Sequence, residues 1–286
     1  MPELPEVQAH AERLTEAYAG VELAGFTALT FTALKTFAPS PDAAVGQPLR
    51  QVGRRGKYLM ADFGEVSFVV HLMQGGRLRD EMLGAKPGKK PSAKPRGGLA
   101  RWTYADERTW LLTEAGREHR AGVWVVTSAG ALDQPPVANL GPEALEVTPA
   151  QLAERFAAKS MRLHGFLRDQ GCIAGLGRRL ANEICFRAQL SPFASTSKLG
   201  LDGATKVVDA IHVCVDEGLA YERTRVDMSA SADRPGGVHH RKGEACVVCG
   251  DTVREVSYSS YSVNYCATCQ TGGKVLADNT TSKFLR

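Results

Sequence analysis

The chain has 286 residues, 43% of them hydrophobic and 23% charged, with a formal net charge of +4. This length accommodates two domains and a small appendage. No apolar run reaches the ~18–20 residues of a membrane span and no basic-then-apolar leader opens the chain, so the sequence argues against a membrane protein and sets the expectation of a cytoplasmic location; a monomer is expected beside it. The charge is too mild to argue nucleic acid by itself; its distribution matters more than its sum.

The chain opens Met1-Pro2-Glu3-Leu4-Pro5-Glu6, with two prolines and two carboxylates ahead of any regular element. Pro5 and Glu6 alone read as an ordinary helix start, with proline near N1 and an acid in the first turn. A chemical reading stands beside it. Removal of Met1 would leave Pro2 with a free secondary amine. An α-amino group titrates at about pH 8, so part of it is neutral and nucleophilic at neutral pH. Amines form Schiff bases with carbonyl-like carbons; from a secondary amine the product is a charged iminium, an electron sink. Glu3 and Glu6 are placed to supply acid and base work beside it. Residues 6–19 are predicted helical, with Val7, Leu14 and Tyr18 on one face and Gly20 as the stop.

Strand-like segments follow at 21–34, 49–52, 57–63, 66–72, 100–104, 109–112 and 122–127, with turn signals between them, and predict a β-sandwich or barrel. Residues 1–133 therefore read as one helix on a two-layer β-domain. Gly53-Arg54-Arg55-Gly56-Lys57-Tyr58 puts positive charge in a turn between strands. His71-Leu72-Met73-Gln74-Gly75-Gly76-Arg77-Leu78-Arg79 ends a strand in a Gly-Gly turn carrying arginines. Each alone reads as a solvated basic turn; together they point to phosphate contact. Residues 84–101 hold six positive and no negative residues, the composition of a mobile insertion that either tracks DNA or merely solubilises.

Residues 134–148 read as a hinge linker. Thr148-Pro149-Ala150-Gln151 carries a helix start, with proline at N1 and a reciprocal glutamine at N3. Helices are predicted at 149–159, 161–170, 178–187 and 204–221, the last with Val207, Val208, Ile211, Val215 and Leu219 as core. Gly175-Leu176-Gly177 opens into a helix beginning Arg178-Arg179; exposed N–H groups and glycines that allow close approach make a phosphate site. Of seven cysteines, four form Cys246-Val-Val-Cys249, sixteen residues, then Cys266-Ala-Thr-Cys269, the spacing of a four-thiolate zinc site. The alternative of paired disulfides suits a secreted chain better. Cys172, Cys185 and Cys214 sit in apolar helical patterns and read as buried small hydrophobes. The remaining divisions are a helical domain over 149–235, a zinc finger over 236–272 and a tail over 273–286.

In this order, the islands resemble the formamidopyrimidine-DNA glycosylase/endonuclease VIII (Fpg/Nei) family of base-excision repair enzymes. The opening Met1–Val7 resembles that family's N-terminus. Arg54 to Leu59 resembles its lysine loop, and His71-Leu72 with the following glycine turn its intercalation loop. Asp169-Gln170, Gly175-Leu176-Gly177, Ala181, Glu183 and Ser191-Pro192 resemble its helix–two-turn–helix signature, and the segment from Arg241 through the cysteine pairs its zinc finger. The resemblance implies a multidomain α+β protein: an N-terminal helix and β-sandwich, a helix–two-turn–helix domain and a four-cysteine finger holding one structural zinc.

It also implies damaged double-stranded DNA as the partner and a nucleoid-associated enzyme. Pro2 would attack C1′ of the damaged nucleotide, Glu3 would protonate or stabilise the sugar ring oxygen, and Glu6 would order the site. Lys57 and His71, with Arg54 and Arg55, would hold phosphates. Met73 and Gln74 would plug the gap left by the flipped nucleotide, and Arg120 would meet the opposite base. Gly177, Arg178 and the finger position Tyr261 would complete the DNA contacts. Departures from the pattern fall at the lesion-reading end: Arg178 replaces the usual Asn, Tyr261 the usual Arg, Ala121 the usual Phe, and residues 222–240 are short. The opening favours oxidised purines, while the departures favour a Nei-like substrate such as an oxidised pyrimidine or a bulkier adduct. A non-catalytic damage-binding protein and an unrelated zinc-ribbon regulator are the readings from other classes.

Overall fold

The computed structural model describes residues 1–81, 91–93, 95–115, 120–228 and 233–276. Residues 84–90 and 94 of the basic insertion, Arg117 and the last residues of the tail lie outside the described residues. The chain divides into two compact units, Met1–Asn139 with Arg225–Met228, and Leu140–Thr224 with Ser229–Arg286. No described helix is long and apolar enough to cross a membrane.

The first unit begins with α1 (Leu4–Tyr18), followed by β1 (Leu23–Ala28), β2 (Gln51–Arg55), β3 (Tyr58–Asp62), β4 (Val66–His71), β5 (Gly76–Asp80), β6 (Gly98–Tyr104), β7 (Thr109–Glu114) and β8 (Gly122–Thr127). These strands form two four-stranded sheets in the orders β1-β6-β7-β5 and β2-β3-β4-β8. Every pairing is antiparallel. Their facing side chains make one core in which Phe68, Trp102, Trp110 and Tyr104 are almost wholly buried. β5 corrects the sequence reading, which placed Arg77 and Arg79 in a flexible turn; both lie in the strand, and Arg79 pairs with Asp227 at 2.8 Å.

α1 protects an edge of each sheet. Thr15 Oγ1 accepts the N–H of Val52 at 2.8 Å and donates to its carbonyl at 3.1 Å, on edge strand β2. His10 Nε2 donates to the Leu78 carbonyl at 2.8 Å, on edge strand β5, and the Tyr18 hydroxyl reaches Asp80 at 2.5 Å. Edge backbone groups left open would invite strand addition; here side chains of a helix satisfy them. The same contacts fix where the N-terminus of α1 lies on its own unit.

The second unit contains α2 (Pro149–Ala158), α3 (Leu163–Arg168), α4 (Arg178–Arg187), α5 (Gly200–Arg223), the hairpin β9 (Val253–Ser257) and β10 (Ser262–Cys266), and α6 (Ala267–Thr271). The capping box read at Thr148 is present: Gln151 N–H donates to Thr148 Oγ1 at 3.3 Å and Thr148 N–H to Gln151 Oε1 at 2.9 Å. Glu183 on α4 accepts the N–H groups of Gly237, Val238 and His239 at 2.7–3.2 Å. Arg179, buried, donates to the carbonyls of Arg234 and Pro235, both at 2.6 Å. One face of α4 thereby pins the segment entering the cysteine-rich region.

Candidate active site and nucleic-acid interface

The first unit gathers Pro2, Glu3, Glu6, Lys57 and His71 as buried residues. Glu3 is the N-cap of α1 and Glu6 is N3. The Glu3 N–H donates to Glu6 Oε2 at 2.9 Å, and the Glu3 side chain returns the bond to the N3 backbone, a reciprocal capping box. Both acids therefore have fixed positions at the positive end of the helix dipole. Met1 is 42% exposed, so the residue whose loss would free the Pro2 amine is accessible.

Lys57 is set by a hairpin. Arg55 pairs with Tyr58 across β2 and β3, leaving a two-residue turn of Gly56 and Lys57, with Gly56 at φ 57. A positive φ at the first turn position suits glycine, and such turns match the twist of the flanking strands. Arg54 and Arg55 belong to the end of β2 rather than to the turn. Arg54 is drawn down: Nε donates to Gln8 Oε1 at 3.2 Å and Nη1 to the Gly56 carbonyl at 2.8 Å.

His71, at the end of β4, pairs with Tyr58 in the sheet, and their rings lie 4.4 Å apart. Burial, then the charges of Lys57 and the N-terminal amine, push His71 down to about 4. The ring is neutral at neutral pH. Its Nδ1 accepts the Met73 N–H at 3.2 Å, so the ring proton sits on Nε2, ready to donate. Lys57 and the amine of Met1, the residue before Pro2, are thus both felt at His71.

The turn after His71 is tight. A Cβ on Gly76 would fall 2.2 Å from the Leu72 carbonyl oxygen. Met73 has φ 50 and its half-buried side chain packs on the core, whereas Gln74 is exposed. Of the two residues expected to plug a base gap, Gln74 is thus the one displayed. Arg120 is exposed, while Ala121 is buried with its N–H donating to Glu114 Oε2 at 2.7 Å.

In the second unit, Sγ atoms of Cys246, Cys249, Cys266 and Cys269 lie within 4.8 Å of one another. Cys246–Cys269 and Cys249–Cys266 are separated by 3.9 and 3.4 Å. A tetrahedral zinc with sulfur bonds of about 2.3 Å requires sulfur–sulfur spacings of about 3.8 Å. The spacings bracket that value and are far longer than a disulfide, so the donor set fits a four-thiolate metal site. The other three cysteines are buried, as their apolar setting indicated.

Gly177 caps α4 without a side chain. Gln170 supports the preceding turn, donating to the Leu176 carbonyl at 2.7 Å and accepting from the Gly175 N–H at 3.1 Å. Arg178 reaches the β9–β10 hairpin, donating to the Ser260 carbonyl at 3.1 Å. Arg179 does not join it, being committed to Arg234 and Pro235. Tyr261 stacks on Tyr258 with ring centroids 4.6 Å apart. Two arginines that the sequence reading passed over meet the same hairpin: Arg168 lies over the Tyr261 ring at 3.8 Å, and Arg162 donates to the Tyr258 hydroxyl at 2.7 Å.

Residues 1–117 match the formamidopyrimidine-DNA glycosylase N-terminal domain and residues 140–230 the formamidopyrimidine-DNA glycosylase H2TH domain. An uncharacterized formamidopyrimidine-DNA glycosylase-like protein of Mycobacterium tuberculosis is 39% identical over 149 residues, covering 51% of this chain and 94% of its own. The formamidopyrimidine-DNA glycosylase of Symbiobacterium thermophilum is 30% identical, with 94% of this chain and 89% of that protein covered. In fold, the chain matches Lactococcus lactis Fpg, solved in complex with an abasic site containing DNA, at a TM-score of 0.80 and 20% identity, over 94% of this chain and 99% of the other. These likenesses define a bifunctional enzyme class, DNA glycosylase and abasic-site lyase. The chain belongs to the formamidopyrimidine-DNA glycosylase family.

Proposed function

We propose that this enzyme excises an oxidised base from duplex DNA through an iminium on Pro2 and then cuts the strand by β- and δ-elimination. The observation that carries the reading is the capping box that fixes Glu3 and Glu6 immediately after Pro2; Lys57 and the Met1 amine, whose charges are both felt at His71, support it. With Met1 removed, the neutral Pro2 amine attacks C1′ while Glu3 protonates the sugar ring oxygen. The base departs, the ring opens and Pro2 becomes an iminium. That cation acidifies the C2′ proton; its loss expels the 3′ phosphate, and a second elimination expels the 5′ phosphate. Lys57 and the Nε2–H of His71 hold phosphates near the reacting sugar. The nucleotide leaves the stack to be reached, at a cost of a few kcal/mol that is smaller at a damaged pair.

The substrate class is an oxidised purine of the formamidopyrimidine or 8-oxoguanine type. A Nei-like preference for oxidised pyrimidines or bulkier adducts is the second reading, favoured by Ala121, which is buried and offers no aromatic surface to the opposite base. The four cysteines hold one structural zinc, Arg120 meets the opposite base, Gly177 and Arg178 receive phosphate at the start of α4, and the protein works as a cytoplasmic monomer on DNA.

Borohydride trapping tests the chemistry. Protein with its N-terminus verified by mass spectrometry is mixed with duplexes carrying an abasic site, 8-oxoguanine or an oxidised pyrimidine. A covalent complex lost in Pro2→Gly supports the iminium, and the lesion pattern selects between the two substrate readings. Tight binding without trapping on any duplex would replace catalysis with damage binding alone.

A further inference from the structure

The tip of the β9–β10 hairpin is surrounded by three guanidinium groups. Arg162 precedes α3, Arg168 ends it and Arg178 begins α4; they reach the Tyr258 hydroxyl, the Tyr261 ring and the Ser260 carbonyl. No carboxylate answers them among the described residues. The adjacent acid, Asp169, is engaged by Lys159 at 2.6 Å and by the Gly171 N–H at 2.9 Å. His164, whose ring is parallel to that of Tyr261, adds no charge: burial first, then Arg168, push it down to about 3.

Arg168 differs from its two neighbours. Its guanidinium is half-buried and sits over Tyr261, with its carbon 3.8 Å from the ring centroid. Tyr258 stacks on the same ring at 4.6 Å and 15°. Two flat groups this close cannot share one face of a ring, so Tyr261 lies between them. The contact engages the guanidinium through its face and leaves its rim unused; no guanidinium N–H of Arg168 donates to a protein acceptor among the described residues. A stacked guanidinium with a bare rim is suited to bidentate donation to a tetrahedral oxyanion, and three positive charges around one hairpin suit an anion carried as part of a polyanion.

Resting on the DNA-repair reading above, we infer that Arg168 is a phosphate ligand for the DNA backbone, presented by α3 and held in orientation by the Tyr261–Tyr258 stack. Tyr261 is then a positioning residue: it contributes no charge and aims one.

The test uses the full-length protein and a duplex carrying a tetrahydrofuran abasic analogue, with binding followed by fluorescence anisotropy across a salt series. Arg168→Gln keeps a planar group on the ring and removes the charge. It is expected to weaken binding about tenfold and to reduce the slope of log affinity against log salt by about 0.9, the value for one lost phosphate contact. Tyr261→Ala keeps the charge but frees it, and is expected to lose affinity. If Arg168→Gln, with parental zinc content and melting temperature, retains parental affinity and slope, the inference is overturned and the contact is only an adhesive between α3 and the hairpin. Should Arg168→Gln not fold, Arg168→Lys decides: it keeps the slope while losing affinity if the planar fork matters, and an unchanged affinity overturns the inference. A folded parent that binds no duplex at any salt overturns the DNA reading itself, and this inference with it.

Discussion

At the scale of single residues, the histidines tie the fold to pH. His10 is pushed down to about 4 by burial first and the Arg13 charge next, while its Nε2–H is spent on Leu78. Held neutral in the fold, it takes up a proton near its ordinary value of about 6.5 once unfolded. Between those values the unfolded chain binds more protons, so this contribution is fully present above pH 6.5 and drains away as pH falls towards 4. His71 acts in the same direction. The urea midpoint is therefore expected to fall between pH 7 and pH 5. His10→Gln, which keeps a donor for Leu78 and cannot charge, should show a smaller fall; equal falls would assign the effect elsewhere. The arrangement at the opening was legible because it is local: Pro2, Glu3 and Glu6 are close in the chain, and Glu3 and Glu6 cap one helix. Arg168 was not legible, since nothing near it announces that a tyrosine from a distant hairpin will lie beneath its guanidinium.

At the scale of elements, legibility followed the strength of local signals. α4 begins and ends where the sequence places it, because a glycine turn precedes it and Arg187 closes an apolar pattern. α5 starts earlier than expected, at Gly200 rather than residue 204; Gly200 and Gly203 are poor helix formers and hid its first turn. β5 escaped notice because Leu78 is its one large apolar residue and it opens on a glycine that follows another. Its pairing is decided by β7 and by α1 rather than by its own propensity. The β4–β5 turn gives a sharp expectation. Gly76→Ala would drive Cβ into the Leu72 carbonyl, and backbone cannot swing away as a side-chain tip can. A loss of roughly 2 kcal/mol or more in denaturant stability is expected; a change below about 0.5 kcal/mol would mean that the turn shifts freely.

At the scale of the whole molecule, the two units have separate reporters. All three tryptophans, Trp102, Trp110 and Trp124, belong to the first unit, and the four clustered cysteines to the second. A strong chelator is expected to make those cysteines reactive to a thiol reagent and to weaken DNA binding, with tryptophan fluorescence unchanged. Loss of the tryptophan signal on chelation would show that the first unit depends on the metal for its fold. The mild net charge of +4 is likewise misleading when read as a sum, since three arginines gather around one hairpin while many acids are spent internally, Glu183 on backbone and Asp169 on Lys159.

The capping box at the head of α1 also bears on how activity can be lost over generations. A gene copy released from selection for repair would still need α1 to seal its sheet edges, and α1 is capped by Glu3 and Glu6. Selection for folding alone would preserve both acids in a descendant that no longer cuts DNA. Their presence in a relative is therefore a poor marker of catalysis. Pro2, which stands outside the helix, is the more telling position under the mechanism proposed above: on that mechanism, a relative that has exchanged it while keeping both glutamates would have lost the chemistry with the architecture intact.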